Sequence, residues 1–245
     1  MSTWLLTAGE SRDGRSYPRA EVEGVVSLLP ASPLEKALWT VLVLLVVGFM
    51  AGAWFNRRRS KALGQWLQDG VRVLGGQTTW KWAGSMNSGA QVSVTGASQP
   101  FRSAVLSYFL LTREFAPLWA LEWLRGKRDT LTIRANLRVP PAHEFEVVPL
   151  QGKLRKLLDQ NAGEHPWQWT ALPSGLGLAT RGEPGSLLLA SLRSFLERYG
   201  SYVQRLSLRE RQPSLVLFVN LAGLEKSPAA EFLRAVRGLS GIRGG

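Results

Sequence analysis

Residues Ala37–Phe55 read ALWTVLVLLVVGFMAGAWF, 19 consecutive residues without a charged side chain. As a helix at ~1.5 Å per residue, the stretch reaches about 28 Å, close to the ~30 Å hydrocarbon core of a bilayer. Trp39 and Trp54 lie near its two ends, where indole rings favour the membrane–water interface. A core helix of a soluble domain would carry a polar face, and this stretch has none. Ala51-Gly52-Ala53 resembles a signal-peptide cleavage site, but the apolar run starts late, is long for a signal, and is followed at once by Arg57-Arg58-Arg59. The stretch reads as a single transmembrane helix. It divides the chain into an N-terminal tail, 1–36, the membrane helix, 37–55, and a domain, 56–245.

Flanking charge gives the expected orientation. Upstream, four cations are offset by five acids; downstream, Arg57, Arg58, Arg59 and Lys61 crowd the helix end. Residues 1–55 sum to −1 (4 − 5) and residues 56–245 to +13 (26 − 13), together the chain's +12. The positive-inside rule places 56–245 in the cytosol and the tail outside or in a lumen. The tail has several Ser, Gly and Pro residues and no clear period, and reads as mostly disordered. At 45% hydrophobic and 20% charged residues, disorder of the whole chain is excluded. The absence of cysteine excludes disulfides, thiolate zinc sites, iron–sulfur clusters and a cysteine nucleophile, and two histidines leave little for a metal centre.

Beyond the membrane stretch the periodicity alternates. Leu63, Trp66, Leu67, Val71 and Leu74 make a helical face closed by Gly75-Gly76. Trp80-Lys81-Trp82 and Ala90–Thr95, either side of Asn87-Ser88-Gly89, read as a hairpin. Phe101–Leu111 is a strand, Pro117–Leu124 a short helix, and Leu131–Arg138 the cleanest alternation in the chain. Phe145–Val148 is a strand, Lys153–Gln160 a helix, and 167–172 with 176–180 a second hairpin. Glu183–Tyr199 is a helix, Tyr202–Leu208 a strand, and Leu215–Val219, continuously apolar, a strand buried on both faces. Ser227-Pro228 opens a last helix. The fold class is α+β: one membrane helix followed by a mixed α/β domain with antiparallel strands.

Chemistry is sparse. There is no Walker loop, HExxH, GxSxG or GxGxxG; Gly175-Leu176-Gly177 is a lone GxG at a hairpin turn. His143 near Glu144 and Glu146 is the one grouping that could make an acid–base pair, with the two glutamates expected as exposed charges on a strand; His165 reads as a loop residue. No catalytic, cofactor or metal residue is assigned. The basic residues are more informative. Arg57, Arg58, Arg59 and Lys61 form a membrane-proximal cluster. Arg125, Lys127 and Arg128, then Lys153, Arg155 and Lys156, then Arg205, Arg209 and Arg211 are candidate contacts for an anionic partner, either ribosomal RNA or anionic lipid. Of the ten tryptophans, Trp66, Trp80, Trp82, Trp119, Trp123, Trp167 and Trp169 lie on apolar periods and are expected mostly in the core.

The order of elements resembles the calumin family of single-pass endoplasmic reticulum membrane proteins. The likeness runs through Asn56-Arg57, Ala62 to Trp66, Thr95-Gly96, SYFLLTREFAPLW at Ser107–Trp119, DTLTIR at Asp129–Arg134, FLERY at Phe195–Tyr199, Val203, Leu206-Ser207 and the Leu215–Val219 strand. The resemblance implies a non-enzymatic adaptor or chaperone of the PAT complex and multipass translocon, helping multi-spanning proteins insert beside the Sec channel with a basic cytosolic domain facing the ribosome. Two features depart from the family. Only five acids precede the membrane helix where the family has an acidic, calcium-linked lumenal region, and Ile242-Arg243-Gly244-Gly245 stands where the family continues into a charged coiled coil. Calcium binding is therefore not implied. The membrane would be the endoplasmic reticulum in a eukaryote and the plasma membrane in a prokaryote. The alternatives are a scaffold that binds anionic lipid through its basic domain and, third, a membrane-anchored enzyme.

Overall fold

The computed structural model describes residues 32–83, 88–161, 166–182 and 185–240. The expected tail disorder, His165 and Asn87 lie outside them. The chain divides into two units, 1–43 and 44–245. In the first, Ser32 opens helix α1 (Pro33–Val71) with a reciprocal cap. The Glu35 amide donates to Ser32 Oγ at 3.1 Å, and the Ser32 amide donates to Glu35 Oε2 at 2.9 Å. One helix thus covers both the apolar stretch and the amphipathic segment read separately from sequence. It is long and apolar enough to cross a membrane, and its apolar part is almost unburied.

In the second unit, a nine-stranded antiparallel sheet follows. The strands are β1 (Gln77–Trp82), β2 (Gly89–Thr95), β3 (Phe101–Phe109), β4 (Thr130–Leu137), β5 (Phe145–Pro149), β6 (Gln168–Ala171), β7 (Leu176–Thr180), β8 (Val203–Leu208) and β9 (Leu215–Asn220). Their order is β1-β2-β3-β4-β9-β8-β5-β7-β6. Four more helices interleave: α2 (Ala116–Leu124), α3 (Lys153–Gln160), α4 (Ser186–Tyr199) and α5 (Ala229–Ser240). The α+β expectation holds. The turn from α1 into β1 needs Gly75 and Gly76 at φ 63° and 79°. A Cβ on Gly76 would lie 2.3 Å from the Thr95 carbonyl oxygen.

One sheet face carries the core. Val92, Val94, Leu106, Tyr108, Leu131, Ile133, Leu217 and Val219 point at Leu63, Leu67 and Val71 of α1, Leu192, Phe195 and Leu196 of α4, and Phe232, Leu233 and Val236 of α5. Phe232 is the joint: its ring lies 6.4 Å from Trp66, 6.4 Å from Phe195 and 5.2 Å, edge-on, from Tyr199. Trp66 donates its indole N–H to the Ser227 carbonyl at 2.7 Å, fastening α1 to the entry of α5. Gly70 allows the approach, since a Cβ there would meet the Ala229 methyl at 2.7 Å.

Two expectations change. β9 is not buried on both faces. Val216 and Phe218 are half-exposed because β4 and β9 are covered by helices on one side only. And three of the seven tryptophans expected mostly in the core, Trp80, Trp82 and Trp123, are exposed. Trp80 and Trp82 stand on β1, the sheet's edge strand, which is exposed along its whole length.

Phe232→Ala should destabilise the detergent-solubilised chain by about 3–5 kcal/mol, since it opens a cavity where three helices meet. Urea unfolding followed by far-UV circular dichroism measures it, and a loss below about 1 kcal/mol would mean that α5 does not close the core. Tyr108 and Tyr199 supply a pH signature. Burial raises both phenols above the ordinary 10.0; a Ser60 hydrogen bond partly offsets this for Tyr108, and the Arg198 charge does so for Tyr199. Raised folded values mean stability that is intact below about pH 10 and is lost as pH rises through the folded values. The urea midpoint should fall above that pH, and Tyr108→Phe should make the fall shallower.

Candidate functional site

The buried face of α1 does not stop where its apolar residues stop. It continues toward the membrane-helix end through Ser60 and Asn56, at the same four- and three-residue spacing as Leu63 and Leu67. These two polar residues meet the exit of β3. Tyr108 and Ser60 share a hydroxyl–hydroxyl bond of 2.9 Å, and the Asn56 amide donates to the Leu111 carbonyl at 3.0 Å. The chain 110–128 then leaves the sheet, forms α2, and returns into β4 through Asp129.

Asp129 closes the neck of that excursion. Its side chain is 3% exposed. Oδ1 accepts the Leu111 amide at 2.9 Å, and both oxygens accept from Arg113 Nη2, at 3.2 and 2.9 Å. Arg59 Nε donates to Oδ2 at 2.7 Å, and Arg59 also reaches Glu225 before α5. Arg113 in turn donates to Asn56 Oδ1 at 2.8 Å and stacks over Phe55 at 5.2 Å. One carboxylate therefore joins α1, the exit of β3 and the entry of β4.

A second buried carboxylate lies on the opposite sheet face. Glu146 is fully buried, contrary to its expected exposure, because β5 pairs with β7 and β8 there and Leu150 and Trp169 cover that face beside it. Arg205 and Ser207 alternate along β8 and Arg209 follows its last residue in the same phase, so all three reach it. Arg205 donates at 3.1 and 3.2 Å, Ser207 at 2.5 Å and Arg209 Nε at 2.7 Å. Trp167 stacks against Arg181 and Arg209, at 4.7 and 5.9 Å. Glu146 is thus committed to arginines and makes no pair with His143. Glu144 accepts the Glu210 amide and faces Arg181.

The sequence-derived basic clusters separate on this basis. Arg57, Arg58 and Lys61 are exposed, with Arg58 over the Trp54 ring at 5.7 Å, whereas Arg59 is internal. Arg125 is exposed, Lys127 pairs with Glu122 at 2.7 Å, and Arg128 stacks over Trp123 at 5.1 Å. The first two clusters come together, because Arg128 immediately precedes the Asp129 that binds Arg59. Lys153 and Lys156 are exposed on α3, while Arg155 stacks on Trp169 at 5.1 Å. Arg205 and Arg209 hold Glu146, leaving Arg211 exposed. Sequence reasoning missed Asp129, Arg113 and Asn56, and it set Glu146 beside His143 where the structure pairs it with Arg205 and Arg209. The usable signals were the Asn56–Ser60–Leu63–Leu67 spacing and the Arg205–Ser207–Arg209 alternation.

At the other end of the sheet, where β3 begins and β4 ends, an open groove of about 1000 Å³ lies between the 137–143 segment, the first turn of α4 and the last turns of α5. Val139, Leu187, Leu188 and Leu239 give it apolar walls, and His143 joins them. Arg138, Arg234 and Arg237 line it, and no Asp or Glu is among the described lining residues. Arg138 donates to the carbonyls of Phe101 and Ala97, and Arg237 to those of Gln99 and Val73, so their charges meet backbone dipoles rather than carboxylates. Among the described residues, no cluster of three His, Cys, Asp or Glu could hold a metal. The groove therefore combines apolar walls with arginine and has no described acid, and Leu187 at its lip is 67% exposed. Comparisons with protein-family models and with curated proteins find no match to the chain.

Asp129→Asn should cost about 3–5 kcal/mol, because Arg59 and Arg113 would lose their shared counter-charge while still part-buried. Glu225→Gln, at a half-exposed position, should cost less than about 1 kcal/mol. Equal losses in urea unfolding of the two variants would refute the assignment of Asp129 as the clamp.

Proposed function

We propose that the protein is a membrane-anchored, non-enzymatic adaptor whose helix α1 crosses the bilayer and whose domain, on the cytosolic side, docks protein partners. The observation that supports docking is the open groove, apolar in its walls and lined by arginine without acid. The anchor reading is supported by the uncharged Ala37–Phe55 stretch and the +13 that follows it. The partners we infer are the Sec translocon and the multipass proteins inserting beside it; this identification rests on the resemblance to the calumin family. The membrane is then the endoplasmic reticulum in a eukaryotic host or the plasma membrane in a prokaryotic one. Ribosomal RNA contact, on this reading, falls to the exposed Lys153, Lys156 and Arg211 rather than to Arg205 and Arg209, which bind Glu146.

The enzymatic alternative has less support. His143 lies in the groove without a carboxylate among the described lining residues, and Glu146, the other member of the imagined pair, is held by two arginines. The lipid alternative has one observation in its favour, the unburied apolar helix α2, and it is compatible with the adaptor reading.

A photo-crosslinking residue at Leu187, in the full chain in native membranes, should form adducts with Sec-channel subunits or ribosomal proteins. The same residue at Lys61 serves as the comparison outside the groove. Labelling of neither class from Leu187 would overturn the translocon assignment.

A further inference from the structure

Helix α2, FAPLWALEWL with its preceding Phe115, is the anomaly of the molecule. No residue of this apolar helix is buried. Phe115, Leu118, Leu121, Trp123 and Leu124 are 51, 43, 43, 48 and 73% exposed. Leu118, Leu121 and Leu124 recur every third residue, so they form one outward stripe. Glu122, the only charged side chain within the helix, is satisfied by Lys127. An outward stripe of leucine on a nine-residue helix is the reverse of the pattern a water-facing helix carries.

The position of α2 says what faces that stripe. The chain entering it touches α1 inside the apolar stretch: a Cβ on Gly52 would lie 2.0 Å from the Arg113 carbonyl oxygen and 2.9 Å from the Glu114 nitrogen. Gly52 is three residues before Phe55, or ~4.5 Å short of the end of that stretch along the helix. Only the Arg113 guanidinium climbs back, over Phe55 to Asn56 and Asp129. The backbone that opens α2 is therefore level with the last apolar turn of α1, and the chain that leaves it returns through Arg128 to Asp129. Phe109, 50% exposed, ends β3 on the same side.

We propose that α2 is an in-plane membrane helix, seated at the headgroup–acyl boundary of the leaflet that α1 enters, with its Leu118–Leu121–Leu124 stripe in the acyl layer. The proposal rests on the reading of α1 as a membrane-crossing helix and goes beyond it, because it makes part of the folded domain a lipid-contacting element. At nine residues, ~13 Å, α2 is too short to span and long enough to lie flat. Arg125 beyond its C-terminal end, with Arg57 and Arg58 on α1, places exposed cations where lipid phosphates lie. The occupant is lipid rather than a partner helix because the segment that opens α2 packs directly on the last apolar turn of the anchor, at Gly52.

The absence of cysteine allows a direct test with the full chain. Leu121→Cys, Val47→Cys and Leu187→Cys are each labelled with an environment-sensitive fluorophore. Each is reconstituted alone into vesicles of phosphatidylcholine and phosphatidylserine, with lipids spin-labelled either near the headgroup or deep in the chain. The expected result has three parts: strong deep quenching at Val47, blue-shifted emission with stronger shallow than deep quenching at Leu121, and no quenching at Leu187. Quenching at Val47 with none at Leu121 would overturn the proposal and leave the anchor standing. No quenching at Val47 would overturn both. A Leu121 probe shielded only in native membranes, and not in lipid alone, would assign the stripe to a protein and overturn the proposal.

Discussion

Asp129 is the group on which the arrangement of the anchored end depends. A carboxylate with 3% exposure is costly to hold unless its charge and lone pairs are met, and here two guanidiniums and a backbone amide meet them. The partners come from two distant parts of the chain: Arg59 from α1, and Arg113 and Leu111 from the exit of β3. Satisfying one carboxylate therefore fixes the rotation of α1 about its axis, the exit of β3 and the start of β4. The helical spacing does the rest, because the face that carries Asn56 and Ser60 is the face that carries Leu63 and Leu67 into the core.

The same device recurs around Glu146 on the other face of the sheet, and together the two alter the meaning of the charge balance. Arg59, Arg113, Arg205 and Arg209 face Asp129, Glu225 and Glu146. These four cations are committed to three acids, two of them buried. Part of the basic composition is thus architectural. Ion pairs built on arginine, whose planar fork donates along several directions, suit a carboxylate shared between two cations better than lysine would. Of the basic residues singled out in the sequence, Arg57, Arg58, Lys61, Arg125, Lys127, Lys153, Lys156 and Arg211 are exposed, Lys127 in its pair with Glu122.

Much of the sheet was legible because it depends on local alternation. The β4 run from Leu131 to Leu137 and α3 at Lys153–Gln160 stand where their periods put them, and α4 buries Leu188, Leu192, Phe195, Leu196 and Tyr199, the apolar side that helical spacing gives its sequence. What failed was inference from hydrophobicity to burial. Val216 and Phe218 sit in an unbroken apolar run yet are half-exposed, since the helices cover one side of β4 and β9 only. Trp80, Trp82 and Trp123 are apolar and periodic yet outward, on an edge strand and on α2. Glu146 errs the other way: a charged residue in a strand reads as solvent-facing until the pairing of β5 with β8 brings two arginines to it. Both kinds of error are non-local, because burial is decided by which strand arrives next and by what lies over it.

The antiparallel register separates the clamp from the groove. β3 and β4 pair from Phe109–Thr130 at the clamp end to Phe101–Leu137 at the groove end. Eight residues of β4 at ~3.3 Å each make this about 26 Å of continuously hydrogen-bonded strand. On the membrane reading proposed above, a partner seated between α4 and α5 would be set apart from the clamp by the length of the strand and not by a flexible tether. Helix α2, at the opposite end of the same strands, would then fix the tilt of that spacer against the bilayer, since a domain held by one helix alone is free to lean and a domain held by two membrane contacts is not.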